Sequence, residues 1–139
     1  MGLQWRDQLS IGNDLIDADH KHLIEVINKA EECLRTSNRK ELAHTLDELA
    51  RYSNTHFERE ELIAKAVGYP GAGQLHASHT RLVETLNTFR SEVTETWTDA
   101  SSTRFGTYLR DWLIQHVIKE DLPMKPWMAK HSPRFDPRC

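Results

Sequence analysis

Four stretches of this chain each place one histidine inside an otherwise apolar stripe of helical spacing, and that pattern constrains the fold more than any other feature. Stepping alternately by four and three residues, the first stretch reads Ile16, His20, Leu23, Ile27, Ala30 and Leu34. The second reads Leu42, Leu46, Leu49, Ser53, His56, Glu60, Ile63 and Val67, the third Leu75, His79, Leu82, Leu86, Phe89 and Val93, and the fourth Phe105, Leu109, Trp112 and His116. Breaks at Thr36-Ser37-Asn38, at Gly68 to Gly73 around Pro70, and at Thr98 to Ser102 separate them. Asn38 and Glu41 have the spacing of a helix-start capping pair. No stretch alternates with period two long enough to make a strand. The expectation is an all-α protein with helices near 16–36, 39–67, 74–97 and 102–122. Its short connections favour an antiparallel up-down-up-down four-helix bundle.

His20 and His79 then stand near helix starts, and His56 and His116 near helix ends. In an antiparallel bundle those are one level, so four imidazoles converge there. Glu60, four residues after His56, shares its face. A buried carboxylate without a positive partner costs several kcal/mol, on the order of the penalties known for buried ions, and no Lys or Arg occupies the seam beside the histidines. A metal supplies the missing charge. The donor set is nitrogen and oxygen only, and it exceeds what one structural zinc uses. Two carboxylate-bridged irons fit it better, with Asp121 as the second bridge. Asp121 lies five residues beyond His116, which in a regular helix would turn it about 140° away. A widened or ending turn is therefore expected there, and Pro123 favours one.

With 139 residues the chain suits one domain. Its formal charge of −3 gives no general pull toward nucleic acid or anionic membrane. No strictly apolar run exceeds three residues, which excludes a hydrophobic membrane span, and two cysteines cannot make a disulfide framework. A cytoplasmic setting is the default expectation. Four of the five prolines fall in the last 17 residues among Lys and Arg side chains. We therefore expect a site-bearing domain over 1–128, with a short turn around Trp127 packed on it. A tail over 129–139 reads as the start of a linker to a downstream domain.

The segments Trp5 with Ile16-Asp17-Ala18-Asp19-His20-Lys21, then His56-Phe57-Glu58-Arg59-Glu60-Glu61, then Tyr69-Pro70 with His79, and His116 through Asp121 together resemble the hemerythrin family, specifically bacterial hemerythrin domains. That resemblance implies that His20 and His56 hold one iron, His79 and His116 the other, and Glu60 and Asp121 bridge both, with an oxo or hydroxo bridge and exchangeable water. It also implies reversible O2 binding at an open position of a di-ferrous centre, where azide or chloride also binds. One departure stands out. The family places His-x3-His on the third helix, whereas four residues before His79 this chain has Leu75 and offers His76 one position late. Leu75 fits the apolar stripe and His76 breaks it, so the expected outcome is an iron lacking one imidazole, with solvent in its place; His76 reaching inward is the alternative.

These features favour a non-enzymatic oxygen or redox sensor domain whose centre cycles between di-ferrous and di-ferric states. An O2 carrier or store is the second reading, and a di-iron peroxidase or nitric oxide-reducing enzyme the third.

Overall fold

The computed structural model describes residues 3–95 and 99–138. Four long helices dominate it: α1 (Asp14–Arg35), α2 (Arg39–Ala66), α3 (Ala72–Glu95) and α4 (Asp99–His116). Beyond α4 the chain passes through a π-helical segment, Val117–Asp121, a 3-10 turn, Leu122–Met124, and a short helix α5 (Lys125–Met128). No strand occurs among the described residues. The expected end of the third helix at 97 lies outside them.

Local chemistry sets the boundaries. The Asn13 side chain accepts from the backbone N–H of Ile16 and starts α1 two residues earlier than the apolar stripe indicates. Asn38 accepts from Glu41 N–H at 3.2 Å, so the capping spacing seen in the sequence is used at the start of α2. At the other end of α2, Gly68 takes a φ of +77°, which lets Tyr69 N–H reach Ala64 C=O at 2.9 Å and closes the helix as a Schellman turn. That turn sends α3 back antiparallel beside α2.

The apolar core forms two layers. One holds Leu23, Ile27, Leu46, Leu49, Leu86, Phe105, Leu109 and Trp112. The other holds Ile11, Ile16, Ile63, Val67, Leu75, Met124 and Met128. Three of the long helices, α1, α2 and α3, pass from one layer to the other, with His20 between Ile16 and Leu23 and His79 between Leu75 and Leu86, whereas α4 lies along the first layer and ends at His116. The polar groups are thus sealed above and below by close-packed apolar side chains.

The tail over 129–139, expected to begin a linker, touches the bundle in its first part. Pro133 C=O accepts from Asp14 N–H at 2.7 Å, Phe135 C=O accepts from the Asn13 side chain at 3.0 Å, and the Phe135 ring packs on the lower apolar layer. The first helical turn of α1 has free N–H groups, and the tail satisfies one of them. Residues up to Phe135 are therefore docked on the bundle.

Candidate metal centre

The structure brings all six expected side chains together. His20, His56, Glu60, His79, His116 and Asp121 are each at most 4% exposed. Their donor atoms form two overlapping foursomes, His20-His56-Glu60-Asp121 and Glu60-His79-His116-Asp121, with the atoms of each within 4.8 Å of one another. The carboxylates are the shared members, and each turns one oxygen to each half. Glu60 Oε2 lies 3.1 Å from His56 Nε2 and 3.5 Å from His20 Nε2, while Oε1 lies 3.1 Å from His79 Nε2 and 3.6 Å from His116 Nε2. Asp121 places Oδ2 3.0 Å from His20 Nε2 and Oδ1 3.1 Å from His116 Nε2.

Asp121 reaches this position because the helix widens. The π-helical segment from Val117 to Asp121 makes i to i+5 hydrogen bonds, so a residue five positions on returns to the face it would leave in an α-helix. The widened turn expected from the His116–Asp121 spacing is present.

Several buried polar atoms at the centre make no hydrogen bond: His20 Nε2, His56 Nε2, Glu60 Oε2 and both oxygens of Asp121. Such atoms carry a desolvation cost of about 1–3 kcal/mol each when left unsatisfied. Their convergence is what a cation corrects, and the donor types suit first-row divalent metals. Without a metal, protons take over that role. Burial works against a charge on His20, yet the close carboxylates of Asp121 and Glu60 prevail and push it up to about 9. His116 is likewise opposed by burial and pushed up to about 10 by Asp121 and Glu60. Burial disfavours a charged Glu60 too, but the surrounding histidines hold it well below the usual carboxylate range.

Two carboxylates stand behind the histidines, at positions that the seam spacing does not mark. Asp19 Oδ2 lies 3.0 Å from His56 Nδ1, and its other oxygen accepts from Tyr52 Oη at 2.7 Å and from Arg59 at 2.9 Å. Glu61 Oε2 lies 3.0 Å from His79 Nδ1, while its Oε1 meets His76 Nδ1. A carboxylate on the far nitrogen fixes the tautomer and aim of a metal-binding imidazole. Both acids sit next in sequence to a site residue, and that adjacency, about 100° around a helix, was the one available sign.

The departure on α3 is resolved. Leu75 is 1% exposed in the lower apolar layer, and His76 is turned outward with its side chain 70% exposed. The centre therefore offers two imidazoles and two shared carboxylates to each half.

The family description Hemerythrin HHE cation binding domain matches residues 11–128. A bacteriohemerythrin of Methylococcus capsulatus is 32% identical over 115 residues, covering 81% of this chain and 86% of that protein. Another, from Stenotrophomonas maltophilia, is 27% identical over 133 residues, 96% of this chain and 86% of its own length. Among solved structures, wild-type hemerythrin superposes with a TM-score of 0.78 at 28% identity, covering 91% of this chain and 98% of that one. The chain belongs to the hemerythrin family, a class of oxygen-binding, non-haem iron four-helix domains. No described helix is long and apolar enough to cross a membrane.

Proposed function

We propose that the chain holds two non-haem irons, one between His20 and His56 and one between His79 and His116, with Glu60 and Asp121 bridging them. In this reading it works as an oxygen or redox sensor domain. The bound irons would supply reversible electron donation to O2. The chain's own groups do the rest. Glu60 and Asp121 provide two negative charges to a pair of cations, and Asp19 and Glu61 orient His56 and His79 toward them. The apolar layers exclude bulk water above and below.

The observation that carries the sensor reading is Leu75. A buried leucine stands where the family has a histidine, and the nearest alternative, His76, is engaged outward with Glu61. The α3–α4 half thus has no third imidazole, which leaves room for solvent or a small anion such as azide or chloride on both halves. A centre open on both sides oxidises readily in air, which suits a sensor and defeats a carrier. The domain itself needs no catalytic acid or base for that task, and a signalling partner would read the change of state.

Iron content and optical spectra, reduced and then exposed to air, test this directly. We expect two irons per chain, rapid oxidation in the native protein and slower oxidation after Leu75→His. A native protein that responds reversibly to O2 through many cycles is a carrier instead. Sustained turnover of peroxide or nitric oxide would make it an enzyme.

A further inference from the structure

The six donors are sealed, so a cation must have a way in, and the two walls that flank α2 are unequal. On the α1–α2 side, Asp19, Tyr52 and the positive Arg59 close the wall behind His56. On the α2–α3 side there is a cavity of about 440 Å³ whose lining includes His79 itself. Phe57 stacks on the His79 ring at 4.1 Å between centroids, so its apolar face borders that imidazole within the cavity. Of the ionisable side chains lining the cavity, Glu58, Glu61 and Glu84 are acidic and Lys65 is basic, with His76 as a further nitrogen donor.

Within this cavity the donors form a continuous series from solvent to the centre. His76, largely exposed, meets Glu61 Oε1; Glu61 Oε2 lies 3.0 Å from His79 Nδ1; His79 Nε2 lies 3.1 Å from Glu60 Oε1. Glu61 is 19% exposed, intermediate between its two neighbours. Nitrogen and oxygen donors alternate at every step, all of types that bind first-row divalent cations. The series ends on Glu60, whose other oxygen, Oε2, faces His20 and His56 and is buried without a hydrogen bond. An excess of carboxylate over ammonium at the mouth concentrates cations there, and such focusing raises association rates by about 10–10³.

We infer that the cavity between α2 and α3 is the loading port for divalent metal. In it His76 and Glu61 capture the hydrated cation, Glu84 adds negative charge to the lining, and Glu61 passes the cation to His79. The inference rests on the reading of the centre as a metal site, and it gives His76 a task other than that of a permanent ligand.

Anaerobic loading of the metal-free protein tests it, with Co²⁺ as an optical probe and Fe²⁺ as the native-like cation. Uptake rate, release rate to a chelator, and final stoichiometry are measured separately. In His76→Ala and Glu84→Lys we expect uptake to slow by about tenfold, in line with the loss of electrostatic focusing. The final spectrum should stay at two cations per chain. Release should slow by the same factor, because a port changes the barrier and leaves the end states alone. The uptake of Glu84→Lys should also depend less on ionic strength. Unchanged rates in variants that still load two cations overturn the port alone. A lowered stoichiometry or altered spectrum in His76→Ala overturns it by making His76 a ligand. A native chain that binds no cation overturns the reading of the centre and the port with it.

Discussion

The two halves of the centre present the same first set of donors and very different surroundings. Around His20 and His56, the supporting carboxylate Asp19 is buried and held by three partners, the His56 ring, Tyr52 and Arg59. Around His79 and His116, the supporting Glu61 is partly solvated, shared with an exposed His76, and open to a cavity. The first half is built to hold its imidazoles still. The second reaches solvent through Glu61 and His76, and buried Leu75 stands one turn before His79. Equal donor sets need not give equal chemistry, because what stands behind each ligand sets its rigidity and its access to water.

The largest effect should follow removal of one imidazole from each half. His56→Ala and His116→Ala should each lower metal content below two per chain and abolish the oxidised-state absorption near the ultraviolet edge, as read by metal analysis and spectroscopy. Full metal content in either variant would mean that the convergence of the six side chains has no bearing on metal binding.

Removing metal altogether affects both halves. At a free cation concentration of 100 times Kd, each site stabilises the fold by about 2.7 kcal/mol, so the melting temperature should rise by ~10 °C or more on loading. The metal-free protein should also lose stability as the solution turns alkaline. His20 and His116 bind protons more tightly when folded, up to about 9 and about 10, than the ordinary 6.5 of an unfolded chain. Their contribution is complete below that ordinary value and disappears as pH rises through the folded values. Metal uptake at neutral pH should accordingly release protons, so apparent affinity should increase with pH. Thermal melts across pH, with and without metal, read both effects.

Smaller changes sharpen the difference between the halves. Asp19→Asn should weaken metal affinity by about 10–100-fold, the range for loss of a supporting carboxylate. Glu61→Gln should lie at or below the lower end of that range, because water can reach its place. Equal losses by competition titration would show that exposure does not matter here. Tyr52→Phe should be mildest, since it removes one of three partners of Asp19 and an ordinary hydrogen bond contributes about 1 kcal/mol.

Much of this molecule is legible in its residue order. The period of the apolar stripes produces four helices, and the histidine at one level of each stripe produces a polar layer in an antiparallel bundle. Glu60 follows from its spacing to His56, and the widened turn follows from the five-residue step to Asp121. These features are visible because they depend on periodicity within one helix. Asp19 and Glu61 depend instead on which helix stands opposite, and the chain between Asp19 and His56, a separation of 37 positions, carries no mark of their contact. The tail shows the same limit. Its prolines and charges describe a linker, yet Phe135 finds an apolar edge and Pro133 a free N–H on α1, partners that exist only after the bundle has formed. The sequence alone determined the helices, their order and the six donors, because these follow from local spacing. Only the tertiary structure decided that His76 turns out to Glu61, that Leu75 stays in the apolar layer, and that one wall of the centre is open, because each depends on a neighbour distant in the chain.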